Sequence, residues 1–121
     1  MQFSSLDVAR RDIRDLSKIF SSLRTESGIA GLLQDLSTFQ ELHQLAERWR
    51  IAKLIHMGFP YRVIREKTGA SFATVARVAE KMQYGTGTLR QACNKRENRM
   101  SNEAEDDPLL SDISFGSLAL T

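Results

Sequence analysis

The sequence predicts an all-α domain, and three observations support this prediction. Apolar residues recur at three- and four-residue steps through residues 7–82, which is the period of amphipathic helices. Residues that favour helix starts, together with glycines that favour helix ends, lie at the borders of these periodic segments. No segment shows the strict alternation of a half-buried strand. We therefore expect a set of helices joined by short turns.

Length and composition limit the domain count and the compartment. The chain has 121 residues, of which 41% are hydrophobic, and this suffices for one domain with a modest core. No apolar stretch is long enough to cross a membrane, and the N-terminus lacks the apolar run of a secretory signal. The single cysteine, Cys93, excludes an intramolecular disulfide. These features predict a cytoplasmic protein with no membrane partner.

Charge is distributed unevenly along the chain. Residues 94–121 contain six acidic and three basic residues, a net charge of −3. Because the whole chain has a formal charge of +2, residues 1–93 carry +5 and favour a polyanionic partner. The segment after residue 93 has no apolar period, and its apolar end is interrupted by Ser, Asp and Gly. We predict one domain over residues 1–93 and a disordered acidic tail over residues 94–121.

Three helices are predicted before residue 58. The first starts at residue 7 and ends before the polar stretch 25–28, and a shorter helix covers residues 29–36. Ser37 or Thr38 then caps a third helix, with Glu41 completing a capping box, and this helix runs to about Met57. Gly58 supplies its stop.

The segment 61–82 predicts a helix, a glycine turn and a second helix. The first helix covers residues 61–68, with Pro60 in its first turn and Gly69 at its end. Ser71 caps the second helix, residues 72–82. The inward positions of the two helices are Val63, Ile64, Val75, Val78, Ala79 and Met82. Residues 84–87 break the pattern, and residues 88–93 form at most one further short helix.

This arrangement is typical of a helix-turn-helix, which lays its second helix in the DNA major groove. Small residues let that helix bring its backbone close to base edges, and they occur here at Ala70, Ser71, Ala73 and Ala76. The outward face of the second helix comprises Ser71, Phe72, Ala73, Thr74, Ala76, Arg77, Glu80 and Lys81. Arginine can bond guanine or phosphate, and an apolar side chain can contact a thymine methyl group. Small residues are also typical of tight helix packing, so the pattern alone does not decide between the two interpretations.

The stretch YRVIREKTGASFATVARVAEKMQYGTG, preceded by STFQELHQLAERWRIAKLIHMG, resembles the Trp-repressor superfamily, and most closely its YerC/YecD-like branch. The resemblance extends over about residues 12–93. It implies an all-helical domain that forms an intertwined homodimer and presents two recognition helices to double-stranded DNA. It further implies a transcriptional regulator, most simply a repressor, that binds a palindromic operator with half-sites about one DNA turn apart.

The resemblance also assigns site residues. Arg62 and Arg65 match positions on the first motif helix that contact DNA backbone or base edges. The base-reading and phosphate-contacting positions of the second helix are matched by Ser71, Phe72, Ala73, Thr74 and Ala76. Arg77 is the remaining DNA-binding candidate, from its place on the outward face.

A possible effector site follows from the same resemblance. Arg48 and Arg77 match the two arginines that sandwich the indole of the corepressor in the tryptophan-sensing member. The tryptophan sensor has glycine where this chain has Val78, and a branched side chain there would crowd the ligand. We therefore expect that L-tryptophan is not a cofactor of this protein, and we rate a surface role for Arg48 above a ligand role.

No catalytic, metal or cofactor site is predicted. His43 and His56 have no Cys, Asp or Glu at metal-ligand spacing, and no nucleophile is paired with a base. An enzyme is not expected.

One alternative to a DNA-binding regulator is a helical protein-interaction module, in which the basic face or the tail at 106–120 binds a protein. Another is the DNA-binding fragment of a transposase, which would require a following catalytic domain.

Overall fold

The computed structural model describes residues 5–100, which form helices and connecting turns with no strand among them. The helices are α1 (Ser5–Ser22), α2 (Glu26–Leu36), α3 (Phe39–His56), α4 (Tyr61–Thr68), α5 (Phe72–Tyr84) and α6 (Thr88–Met100). The all-α prediction is therefore confirmed. Within the described residues, no helix combines the length and the apolarity that a bilayer span requires.

The chain divides into two compact units, and residues 1–42 belong to the first. This unit contains α1, α2 and the first turn of α3. Helix α1 has no buried residue, although its apolar side chains recur along one face of the helix. Its large exposed apolar residues are Leu6, Val8, Ile13, Leu16 and Ile19. The pattern that predicted an amphipathic helix is thus present, but its apolar face is exposed among the residues that the structure describes.

Helix α2 begins three residues earlier than its apolar pattern predicted. Thr25 is its N-cap and adopts extended backbone angles. The Thr25 hydroxyl accepts a hydrogen bond from the backbone N–H of Gly28 at 3.0 Å. Because this bond satisfies one of the free donors of the first turn, polar residues that looked like a break are part of the helix.

The capping box predicted at the start of α3 is confirmed. The backbone N–H of Glu41 donates to the Thr38 hydroxyl at 3.1 Å, and the Glu41 carboxylate accepts from the N–H of Thr38 at 2.9 Å. These hydrogen bonds from Thr38 favour the charged carboxylate and lower the pKa of Glu41.

The second unit starts at residue 43 and holds the core of the protein. Its buried residues come from the rest of α3 and from α4, α5, α6 and their connections: Ile51, Ala52, Leu54, Phe59, Ile64, Ala70, Val75, Val78, Met82 and Cys93. Gly58 ends α3 as predicted, with a φ of 86°. Its N–H donates to the carbonyl of Ile55 at 2.9 Å, and the N–H of Phe59 donates to that of Leu54 at 3.1 Å. This Schellman pairing turns Phe59 into the core.

Helix α6 is longer than the sequence pattern predicted, since it continues beyond residue 93 to Met100. The prediction that disorder begins at residue 94 is therefore wrong for residues 94–100. The side chain of Cys93, a residue of α6, is buried against α3, and its thiol sulfur lies 3.8 Å from the carbonyl oxygen of Ala52. One turn later, His56 Nε2 lies 3.0 Å from a carboxylate oxygen of Glu97. These contacts to α3 hold a polar helix that shows no apolar period of its own. The rest of the predicted tail, residues 101–121, lies outside the described residues.

Candidate nucleic-acid interface

The turn between α4 and α5 requires glycine at position 69. Gly69 has a φ of 75° and a ψ of 3°, and its N–H donates to the carbonyl of Arg65 at 2.8 Å. A Cβ built at this position would meet no atom within 4 Å, so the constraint is conformational rather than steric. Glycine adopts the left-handed backbone conformation at little cost, which explains why glycine occupies position 69. Pro60 lies one position earlier than expected, at the N-cap of α4.

Hydrogen bonds and burial then define the remainder of the turn. The Thr68 hydroxyl donates to the carbonyl of Ile64 at 2.8 Å and accepts from the N–H of Ala70 at 3.2 Å. Ala70 itself is only 8% exposed and belongs to the core. Its small size therefore serves helix packing, and the expectation that Ala70 leaves room for a base edge is wrong.

Ser71 is the N-cap of α5, as predicted. Its hydroxyl accepts from the backbone N–H of Thr74 at 3.2 Å. The hydroxyls of Ser71 and Thr74 also lie 3.0 Å apart, so one donates to the other. The first turn of α5 thus carries two hydroxyl groups with fixed positions, and hydroxyl oxygens have further capacity to bond phosphate or base edges.

Most of the predicted DNA-binding residues are exposed, whereas the core residues of the same two helices are buried. Ile64 of α4, together with Val75, Val78 and Met82 of α5, is buried. The candidates that are exposed are Arg62, Arg65, Ser71, Phe72, Ala73 and Arg77. Thr74 and Ala76 are half-buried. The two helices therefore separate an apolar inner face from an outer face of cations, hydroxyls and small side chains.

Two arginines of α4 lie together on this outer face. Arg62 and Arg65 line a shallow depression of about 380 Å³ with Glu66, Gly69 and Ala70. A guanidinium nitrogen of Arg62 lies 3.5 Å from a carboxylate oxygen of Glu66, and both side chains are about two-thirds exposed. An exposed pair one helical turn apart contributes only ~0.3–0.5 kcal/mol, so Glu66 does not hold Arg62 away from a phosphate.

The other pair of arginines, Arg48 of α3 and Arg77 of α5, lines one cavity of about 280 Å³. Trp49 and Val78 also line this cavity. Small-molecule pockets in proteins usually measure ~300–1,000 Å³, so this space is just smaller than that range. The structure thus brings together the two arginines of the predicted effector site and places Val78 beside them.

The histidines and the cysteine of the described residues each lie in a separate local environment. Within residues 5–100, no group of three or more His, Cys, Asp or Glu side chains is close enough to bind a metal ion. His43 lies 3.9 Å from Glu47, and His56 contacts Glu97. Burial raises the pKa of the Cys93 thiol, which lowers its nucleophilicity at neutral pH.

Comparisons with known proteins agree on one family. The model of the Trp repressor protein family matches residues 11–97. The uncharacterized protein YerC of Bacillus subtilis strain 168 is 29% identical over 85 residues, which cover 68% of this chain and 82% of YerC. The crystal structure of a candidate Trp repressor from Staphylococcus aureus superposes with a TM-score of 0.69 at 25% identity. That similarity covers 78% of this chain and 96% of the other.

Proposed function

The chain belongs to the Trp repressor family of helix-turn-helix regulators, whose members are not enzymes, and on this premise we propose that it is a sequence-specific DNA-binding repressor. The observation that carries the proposal is the outer face of α4 and α5. There, exposed arginines and small residues flank a recognition helix whose opposite face is fixed in the core. The simplest mode of action is occupation of a promoter.

Phosphate contacts would supply much of the affinity. Arg62 and Arg65 are exposed on α4, next to the N-terminus of α5, and their guanidinium groups can each bond two phosphate oxygens. Every phosphate that is neutralised releases a counterion, so binding would weaken as salt rises. These contacts set the register of the protein on the duplex but carry no sequence information.

Base recognition would come from the first two turns of α5. Phe72 and Ala73 are exposed apolar side chains that can contact thymine methyl groups. Arg77 lies farther along the outward face and can bond guanine or phosphate. The backbone at Ala73 and Ala76 can approach base edges because neither side chain extends beyond Cβ.

Substitutions at Phe72 and Ala73 are expected to change which sequence is preferred rather than how tightly DNA is bound in general. Phe72→Leu or Ala73→Ser alters the surface offered to base edges and leaves the arginines intact. Each base pair that no longer matches the altered side chain should cost about 1–3 kcal/mol of binding free energy on the original site. Binding constants on a panel of single-base operator variants would measure this. A uniform loss on every duplex, equal to that of an arginine variant, would contradict the division of roles.

A homodimer is the second part of the proposal. The apolar side chains of α1 are exposed in the single chain, with Leu6 at 60% and Ile13 at 62%, and a second copy would bury them. The Nε of Arg50 is buried and has no hydrogen-bond partner among the described residues, and an acceptor from a second chain would satisfy it. Two recognition helices related by two-fold symmetry would then fit half-sites ~34–36 Å apart.

Both parts can be tested on the full chain. Fluorescence anisotropy with a labelled duplex pool, measured at two salt concentrations against a heparin control of matched charge, reports DNA binding. Sedimentation equilibrium reports the assembly. The proposal expects duplex binding stronger than the heparin control and a dimer mass. A monomer that binds duplex no better than heparin would contradict it.

We expect no corepressor role for L-tryptophan. Val78 is 5% exposed and lines the same cavity as Arg48 and Arg77, so its branched side chain would crowd an indole ring placed between the two arginines. Isothermal titration with L-tryptophan should give no saturable heat at micromolar concentrations. The Val78→Gly variant is the matched comparison, because binding by this variant alone would attribute the exclusion to Val78. Saturable micromolar binding by the unchanged chain would overturn the expectation.

A further inference from the structure

Two aromatic rings are in contact at the surface of the helix-turn-helix. Tyr61 is the first residue of α4 and Phe72 is the first residue of α5. Their ring centroids lie 5.8 Å apart, and the ring planes are inclined at 56°. Tilted aromatic pairs at this distance attract each other beyond the effect of burial alone. Yet Tyr61 is 37% exposed and Phe72 is 57% exposed, so the pair is a surface feature rather than part of the core.

The position of the pair relates it to the DNA-binding residues. Tyr61 directly precedes Arg62, and Phe72 lies between the cap Ser71 and the small residue Ala73. An exposed phenylalanine at the start of a helix would otherwise sample more than one χ1 rotamer. The Tyr61 ring restricts this freedom by packing against one side of Phe72. A side chain that is fixed before binding loses less entropy when it contacts a ligand.

We infer that Tyr61 is a specificity-determining positioning residue, which holds the ring of Phe72 where it contacts a thymine methyl group. This inference rests on the proposed function, since Phe72 must face a base pair for its orientation to matter. Tyr61 acts through Phe72 and not through its own hydroxyl. The ring, not the phenol oxygen, therefore carries the effect on sequence preference.

The inference predicts different results for two substitutions of Tyr61. Tyr61→Ala removes the ring and frees Phe72, so discrimination at the base pairs read by Phe72 should fall by about twofold to tenfold. Tyr61→Phe keeps the ring and should retain the preference of the unchanged chain. The slope of log affinity against log salt should be the same in both variants, because no phosphate contact is removed.

A double-mutant cycle makes the test specific. Binding of all variants is measured on the preferred duplex and on duplexes altered one base pair at a time. In a Phe72→Ala background, Tyr61→Ala should cause no further loss of discrimination, since the ring that it positions is gone. Sedimentation of the same variants controls for assembly, and the dimer fraction should be unchanged.

Other results would overturn either the inference about Tyr61 or the proposed function. Equal discrimination by the unchanged chain and Tyr61→Ala would overturn the inference while leaving the proposed function in place. Loss of discrimination by Tyr61→Phe would assign the effect to the hydroxyl and would also overturn it. An altered assembly with intact base preference would show that the ring pair serves a protein interface instead. If the unchanged chain binds no duplex above the heparin control, the proposed function itself fails.

Discussion

Replacing both Arg62 and Arg65 with alanine is expected to lower affinity for every duplex by roughly a hundredfold to a thousandfold. Both side chains are exposed on the same depression of α4. A loss of about 1 kcal/mol per arginine, counted over two protomers, corresponds to this range. The Arg65→Ala variant alone should lose about 1 kcal/mol or more per protomer. Fluorescence anisotropy over a range of salt concentrations measures both the affinity and the salt slope.

The salt slope distinguishes phosphate contacts from unfolding or altered assembly. Each lost phosphate contact reduces the slope by about one, so the double variant of a dimer should lose up to about four. Arg24→Ala is the matched control for the single Arg65→Ala variant, because each removes one positive charge and Arg24 is exposed between α1 and α2, outside the motif. A control that weakens binding as much as Arg65→Ala would show that net charge alone drives association. An unchanged slope in the double variant would contradict the assignment to phosphates.

The Ile64→Ala variant is expected to have the largest effect on stability. Ile64 is fully buried, and its side chain joins α4 to the core that also contains Val75 of α5. Truncation removes apolar contacts and leaves a cavity that a short helix between two turns can only partly close. We expect the free energy of unfolding to fall by about 2–5 kcal/mol. Urea denaturation at one fixed protein concentration measures it, since the stability of the proposed dimer would depend on concentration.

The neighbouring position supplies the control for this prediction. Val63 lies on the same helix but is only half-buried, so Val63→Ala should cost clearly less than Ile64→Ala. Equal losses at the two positions would indicate that the helix propensity of α4, and not core packing, determines the stability of the motif.

Local chemistry explains which features could be predicted from the sequence. The glycine stops at Gly58 and Gly69, the cap at Ser71 and the capping box of Thr38 with Glu41 each depend on a few adjacent residues. A side-chain oxygen near a helix start, or a glycine with positive φ near its end, acts within one turn. The boundaries that rest on these residues could therefore be located, and with them the two helices of the motif.

Contacts between distant residues explain what could not be predicted. Helix α6 extends to Met100 because Cys93 and Glu97 contact Ala52 and His56, each 41 residues away. Nothing in the polar sequence after residue 93 indicates these partners. Ala70 was expected to leave room for a base edge for the same reason, since its burial depends on how α4 and α5 pack.

The aromatic pair shows the same limit within the candidate site. Tyr61 and Phe72 are eleven positions apart, and the turn at Gly69 brings their rings into contact. The sequence feature that could have indicated this pair is an aromatic residue at the first position of each helix of the motif. Only the geometry of the turn shows that these two positions meet.

Selection from a pool of random duplexes by the purified full chain tests the central claim most directly. We expect an enriched palindrome whose half-sites lie about one helical turn apart, because the two recognition helices of the proposed dimer would read successive major grooves. Binding to this palindrome should weaken as salt increases. Salt-sensitive binding without any enriched sequence would contradict specific recognition and would leave a basic protein that binds DNA without regard to sequence.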